Sequence, residues 1–151
     1  DVFFTRVFEN GESFESMDFY SLEGAKKHLG IEPTIEENNQ LIAEFLGWKK
    51  SLGISYHKEN KVTTTKHFDF IGNNDWNGLM VAVDKIESLE LKNESSTCEG
   101  FDTFGVEINK NRCDITHYGD FTHHLLQGNG KTRIESVYNA VLLFIKWYNK
   151  N

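Results

Sequence analysis

The sequence predicts an α+β fold: a largely antiparallel sheet with helices packed on it, an α/β sandwich. Three observations predict it. Apolar residues recur at helical spacing in three long stretches. Elsewhere they alternate at strand spacing. Two Asn-containing turn signals join neighbouring strands directly into hairpins, which makes their pairing antiparallel. The 151 residues suit one domain with one core. Twelve Phe within a 13% aromatic content exclude a disordered chain. Residues 1–151 therefore read as a single domain. Within it, residues 1–37 form an acidic hairpin-helix extension packed on or beside a sandwich of residues 38–151.

The elements follow in order. Residues 2–8 and 14–20 are aromatic-rich runs around Asn10-Gly11, a pair that accepts the positive φ of a tight hairpin turn. Ser21 reads as an N-cap, with Glu23 in the first turn of a short helix that ends at Gly30. Residues 31–37, with Pro33, are a connector, and residues 39–50 a second helix burying Leu41, Ile42, Phe45, Leu46 and Trp48. Residues 61–71 alternate as a strand. Gly72-Asn73-Asn74 is a turn, and Asp75 caps a helix with Trp76, Leu79, Met80, Val83, Ile86 and Leu89 on one face. After a polar loop at 92–100, strands 104–108 and 112–116 flank Asn109-Lys110-Asn111. Thr132 and Glu135 then form a capping box before a stripe of Ile134, Val137, Tyr138, Val141, Phe144, Ile145 and Tyr148.

The net charge of −7 disfavours nonspecific nucleic-acid binding, which relies on Lys and Arg to neutralise phosphates. The layout says more than the total. Residues 1–47 hold ten acids against Arg6, Lys26 and Lys27, so the whole excess lies there and the rest is balanced. A solubilising face is the bland reading. The sharper one is an acidic surface that steers a basic partner. Phe3, Phe4, Phe8, Phe14, Phe19 and Tyr20 stand among these acids. Glu9, Glu12, Glu15, Asp18 and Phe14 are accordingly the candidate partner-binding residues.

Three motifs look chemical and fail on inspection. Gly128-Asn129-Gly130-Lys131-Thr132 ends like a phosphate loop, but the pattern needs a Gly where Leu125 stands. It reads as a turn into a capped helix, although an anion could rest near Lys131 and Arg133. His117, Asp120, His123 and His124 offer ligand types but no ligand geometry, since adjacent histidines on a strand face opposite ways. They are expected as exposed or hydrogen-bonded loop residues. His67 and Asp69 share one face of the expected strand and read as a solvent-facing pair rather than an acid and base. Cys98 and Cys113 lack any CxxC spacing and are expected as reduced thiols. No catalytic residue, metal or cofactor is expected, nor an enzyme.

Four blocks of the chain resemble a known family. They are 38–47 (Asn-Asn-Gln-Leu-Ile-Ala-Glu-Phe-Leu-Gly), 75–89 from Asp75-Trp76 to Ser88-Leu89, 106–115 with Cys113 in its second strand, and 134–149 from Ile134-Glu135 to Tyr148-Asn149. In this order they resemble small uncharacterised phage and prophage proteins common in Bacteroidota. The resemblance spans about residues 38–150 and implies phage origin and an α/β sandwich; it implies no activity. Asn77-Gly78 interrupts the family's central helix motif, and residues 1–37 lie outside it.

With the charge layout, the expectation is a phage-encoded accessory binding protein in the host cytoplasm. It would inhibit a host defence system, anti-CRISPR-like, by engaging a basic nucleic-acid-binding host protein, with no role at a membrane. The alternative is a small-ligand protein or enzyme, acting on a nucleotide signal near His117, His123 or Lys131. A structural role in the virion is a third option.

Overall fold

The computed structural model describes residues 3–5, 8–9, 12–13, 17–19, 29–50, 56–58, 67–92, 101–119 and 123–150. The chain divides into two compact units, residues 1–35 and 36–151. In the first, β1 (Phe3–Thr5) pairs antiparallel with β4 (Met17–Phe19). Nested between them, β2 (Phe8–Glu9) pairs with β3 (Glu12–Ser13) on either side of Asn10-Gly11. This is the expected hairpin. The short helix expected from Ser21 falls on residues 21–28, outside the described residues; its expected terminator, Gly30, stands at φ +67.

The second unit begins in the first turn of α1 (Ile35–Phe45). This helix starts earlier than the spacing predicts, so the connector stops at Thr34, and Glu36 and Glu37 sit at its electropositive end. It also ends earlier. Gly47, at φ +83, takes the left-handed conformation that closes helices, and residues 48–50 turn away as a strand. β5 (Trp48–Lys50) pairs with β6 (Tyr56–Lys58). Trp48 mimics a helical position because its ring still packs inward, edge-on to Phe68 at 5.3 Å.

The expected strand at 61–71 is corrected for its described part. Residues 67–69 carry no strand and residues 70–74 form a turn; residues 61–66 lie outside the described residues. Its alternation comes from burial without pairing: Phe68 and Phe70 are both buried and stack on each other at 5.4 Å. Asp75 then accepts from Gly78 N at 2.9 Å and starts α2 (Trp76–Glu87), which buries Leu79, Ala82, Val83 and Ile86.

Four antiparallel strands make the main sheet, in the order β10-β9-β8-β7. They are β7 (Leu91–Lys92), β8 (Phe101–Ile108), β9 (Arg112–Tyr118) and β10 (His123–Asn129). The β8–β9 hairpin is the expected one, longer at its open end. β10 has no counterpart in the sequence reading, because His-His-Leu-Leu does not alternate. The histidines placed in a loop are thereby corrected: His117 lies on β9, and His123 and His124 lie on β10.

Thr132 and Glu135 complete both arms of the capping box that opens α3 (Arg133–Tyr148). α3 packs on β10 and β9, and α2 on β8 and α3, so helices cover one face of the sheet. The fold is α+β, as the sequence predicts. Phe104, Cys113 and Ile115 from the sheet meet Val137, Val141, Phe144 and Ile145 from α3 in one buried cluster. Phe144 stands edge-on to Phe104 at 5.0 Å and to Phe45 of α1 at 6.1 Å. One buried polar link joins the same helices: Tyr138 OH donates to the Asn39 amide oxygen at 3.0 Å.

α3 reaches the sheet because β10 is bare beneath it. A Cβ on Gly128 would run into the backbone of Ser136 and Ala140, and one on Gly130 into Glu135 and Ser136. Two stability measurements test this packing. Phe144→Ala removes a wholly buried ring and should lower urea stability by about 3–5 kcal/mol. Gly128→Ala adds only a methyl group, yet should cost about 1–3 kcal/mol, because the opposing atoms are helix backbone. A neutral Gly128→Ala would mean that α3 can lift without loss.

Candidate functional site

The acidic third places its charges by strand register. In the first unit Glu9 stands directly opposite Glu12 on β2 and β3, and Asp18 opposite Phe4 on β4 and β1. Like charges directly opposite each other work against strand pairing. The hairpin therefore carries two glutamates where local stability would favour neutral or opposite residues. Glu15 and Phe14, the other two candidates, lie outside the described residues. Residues 1–35 hold seven acids and three bases, and Glu36, Glu37 and Glu44 of α1 account for the remaining excess of the first third.

At one end of the main sheet, His117 Nε2 lies 2.8 Å from Asp102 Oδ2, with side chains only 13% and 18% exposed. The imidazole stacks on Phe104 at 5.0 Å and meets Trp147 of α3 at 5.3 Å. Gly119 leaves room for the carboxylate, because a Cβ there would come within 3.0 Å of Asp102 Oδ1. Asp102 escaped the sequence reading. Extending the hairpin register outward from Asn109-Lys110-Asn111 sets Phe104 opposite His117, and Asp102 is two residues away on the same face. The pair ties β8 to β9 under the end of α3. It is a latch in an aromatic box rather than an exposed acid and base.

The glycine loop before α3 is no phosphate cradle. Glu135 Oε2 accepts from Lys131 N at 2.7 Å and from Thr132 N at 3.3 Å. The chain's own carboxylate thus holds two backbone donors of the loop. His67 and Asp69 do line one open cleft, of about 410 Å³, with Asp75 and Asn77. Its carboxylates already serve the backbone: Asp69 Oδ1 accepts from Gly72 N at 2.8 Å, and Asp75 caps α2.

A second cleft, of about 360 Å³, opens between the three helices of the second unit, among Leu41, Glu44, Phe45, Lys85, Leu89 and Tyr148. Lys85 is its cation. Its ammonium lies 4.7 Å from the Phe45 ring centre and donates to the Phe45 carbonyl, closing the C-terminal end of α1. Among the described residues, no group of three His, Cys, Asp or Glu side chains could hold a metal ion. No helix among them is long and apolar enough to cross a membrane. Comparison with known proteins finds no matching family model, no matching curated protein and no matching solved structure.

Among the described residues, the buried groups Tyr56, Cys113 and Tyr138 resist ionisation. Burial, with the Asp114 charge beside it, pushes the Cys113 thiol up to about 11, and burial with Asp69 pushes Tyr138 up to about 12. Both bind their protons more tightly folded than unfolded. The thiol's contribution is thus fully present below pH 9.0, its unfolded value, and is lost as pH rises through 11. The urea midpoint should hold from neutral pH to about pH 9 and fall between there and pH 11. The thiol should account for on the order of 2–3 kcal/mol of the loss. Cys113→Ala should lower the neutral baseline and flatten this alkaline slope; an unchanged slope would remove the thiol from the account.

Proposed function

We propose that this chain is a phage-encoded accessory protein that inhibits a host defence system by binding a basic, nucleic-acid-binding host protein. The acidic hairpin is its contact surface. One observation carries the reading: Glu9 faces Glu12 at the Asn10-Gly11 hairpin, inside a segment that concentrates the chain's whole negative excess. Charges that oppose their own hairpin are accounted for when they meet a cationic partner, where complementarity raises both the encounter rate and the specificity. Glu9, Glu12, Glu15, Asp18 and Phe14 are the proposed contacts, with the acids steering and the aromatic ring supplying buried area. Phage origin rests on the four resembling blocks in residues 38–150, and the setting that follows is the host cytoplasm.

The cleft beside Lys85 favours a second reading, a small-ligand protein, because its volume falls within the range of ligand sites. That reading ranks below the first. Lys85 is already engaged by the Phe45 carbonyl and ring, and the Lys131 backbone N–H is held by Glu135.

The test starts with affinity capture from host lysate using the intact chain, followed by binding kinetics with the captured protein. Glu9→Lys, Glu12→Lys and Glu15→Lys together should slow association at least tenfold and leave the urea midpoint within about 0.5 kcal/mol of wild type. Wild-type association should slow steeply as salt shortens the screening length from about 10 Å at 0.1 M to about 3 Å at 1 M. A partner bound equally by the triple variant, with a flat salt response, would make the acidic third a solubilising face.

A further inference from the structure

The cleft of about 410 Å³ is lined from residues 67–69, the turn at 70–74 and the first turn of α2. Its lining is mostly polar and mostly uncharged. Asn73, Asn74 and Asn77 bring three exposed carboxamides to it, and His67 brings an exposed imidazole. Asp69 and Asp75 add half-buried carboxylates, and Trp76 a half-buried indole.

Local structure accounts for only some of these residues. Asn74 stands at φ 51, a left-handed position that Asn tolerates. Asp69 accepts from Gly72 N at 2.8 Å and closes the turn, while Asp75 accepts from Gly78 N at 2.9 Å and caps α2. Asn77 has no such duty. It lies inside α2, where Asn is a weak helix former, and Asp75 already fills the capping role. Among the described residues, none holds the carboxamides of Asn73, Asn74 and Asn77, or the His67 ring, in a hydrogen bond. Three carboxamides and an imidazole therefore face one cleft with their donors and acceptors available.

This lining selects a chemical class. Two carboxylates line the cleft and no Lys or Arg does, so an anion such as a phosphate is repelled. His67, Asp69 and Asp75 form no group that could hold a metal ion. An organic cation would depend on the carboxylates, yet each already gives an oxygen to a backbone N–H. The commonest group is the carboxamide, which donates and accepts at once. A hydroxyl does the same, so the matching ligand carries several hydroxyls in fixed directions. The backbone bonds also orient both carboxylates, and little side-chain freedom is lost when Asp69 accepts from a hydroxyl. We propose that this cleft binds a neutral saccharide, its hydroxyls on Asn73, Asn74, Asn77 and Asp69 and the C–H face of its ring against Trp76. The volume falls within the range of small-ligand sites. This inference is independent of the proposed function.

Amide NMR of the intact chain tests it, with titration by the methyl glycosides of glucose, galactose, mannose, xylose and N-acetylglucosamine. At least one should bind in the millimolar range and shift the amides of residues 67–77 and the Trp76 indole. Asn73→Ala and Asn77→Ala should each weaken that binding about tenfold without lowering the urea midpoint, since both side chains are exposed. Asp69→Asn keeps an acceptor for Gly72 N and removes the charge. It should weaken the saccharide less than Asn77→Ala does, whereas spermidine, the probe for an organic cation, would be lost. An oligosaccharide bound more tightly than its own methyl glycoside marks a glycan chain as the source, and equal affinity marks the free sugar. No shift from any glycoside would overturn the proposal. So would shifts that map outside residues 67–77, or binding of spermidine in place of the sugars that Asp69→Asn abolishes.

Discussion

The main unit depends on one close approach, α3 lying directly on β10 where Gly128 and Gly130 present no side chains. Helix and strand come so near that the helix backbone itself is the contact surface. Because α3 sits this low, Val137, Val141, Phe144 and Ile145 reach the layer formed by Phe104, Cys113 and Ile115. The same seating brings Trp147 down beside His117 and presents Tyr138 to Asn39. Glycines that look like a phosphate loop in the sequence are thus a packing device. The carboxylate of Glu135 accepts from two of the loop's backbone N–H groups.

Charge is unevenly laid out along the chain. The buried cluster of the sheet-and-helix unit is apolar, and several of its ionic groups serve its own backbone: Asp69 and Asp75 close turns, and Lys85 closes a helix. In the first unit the register sets Glu9 opposite Glu12 across a two-residue connection.

The sequence was a good guide wherever local chemistry decides structure. Asn10-Gly11, the Asp75 cap and the Thr132–Glu135 box each act within four residues, and all three were legible. So was the α3 stripe, whose period survives in the buried set. Errors arose where burial imitates periodicity. Phe68 and Phe70 alternate because an irregular segment buries every second ring. Trp48 extends a helical pattern past Gly47 because its strand also points inward. β10 was missed for the opposite reason, as doubled His and Leu hide a strand whose pairing comes from β9. The His117–Asp102 latch needed that long-range register; the candidate residues of the hairpin needed only charge and the Asn-Gly turn.

The position of α3 also bears on how the chain is made. β8, β9 and β10 follow one another through short connections, so the meander can pair as soon as it emerges. Its inner face then presents Phe104, Cys113 and Ile115 with only the earlier helices to cover it until the 16 residues of α3 have been synthesised. At roughly 5–20 residues per second that interval is about 1–3 s. Such a delay is long against hairpin formation, which takes about 1–10 μs. During translation the nascent sheet is therefore a sticky surface, and yield in the cell will depend on what shields it while the ribosome completes the helix.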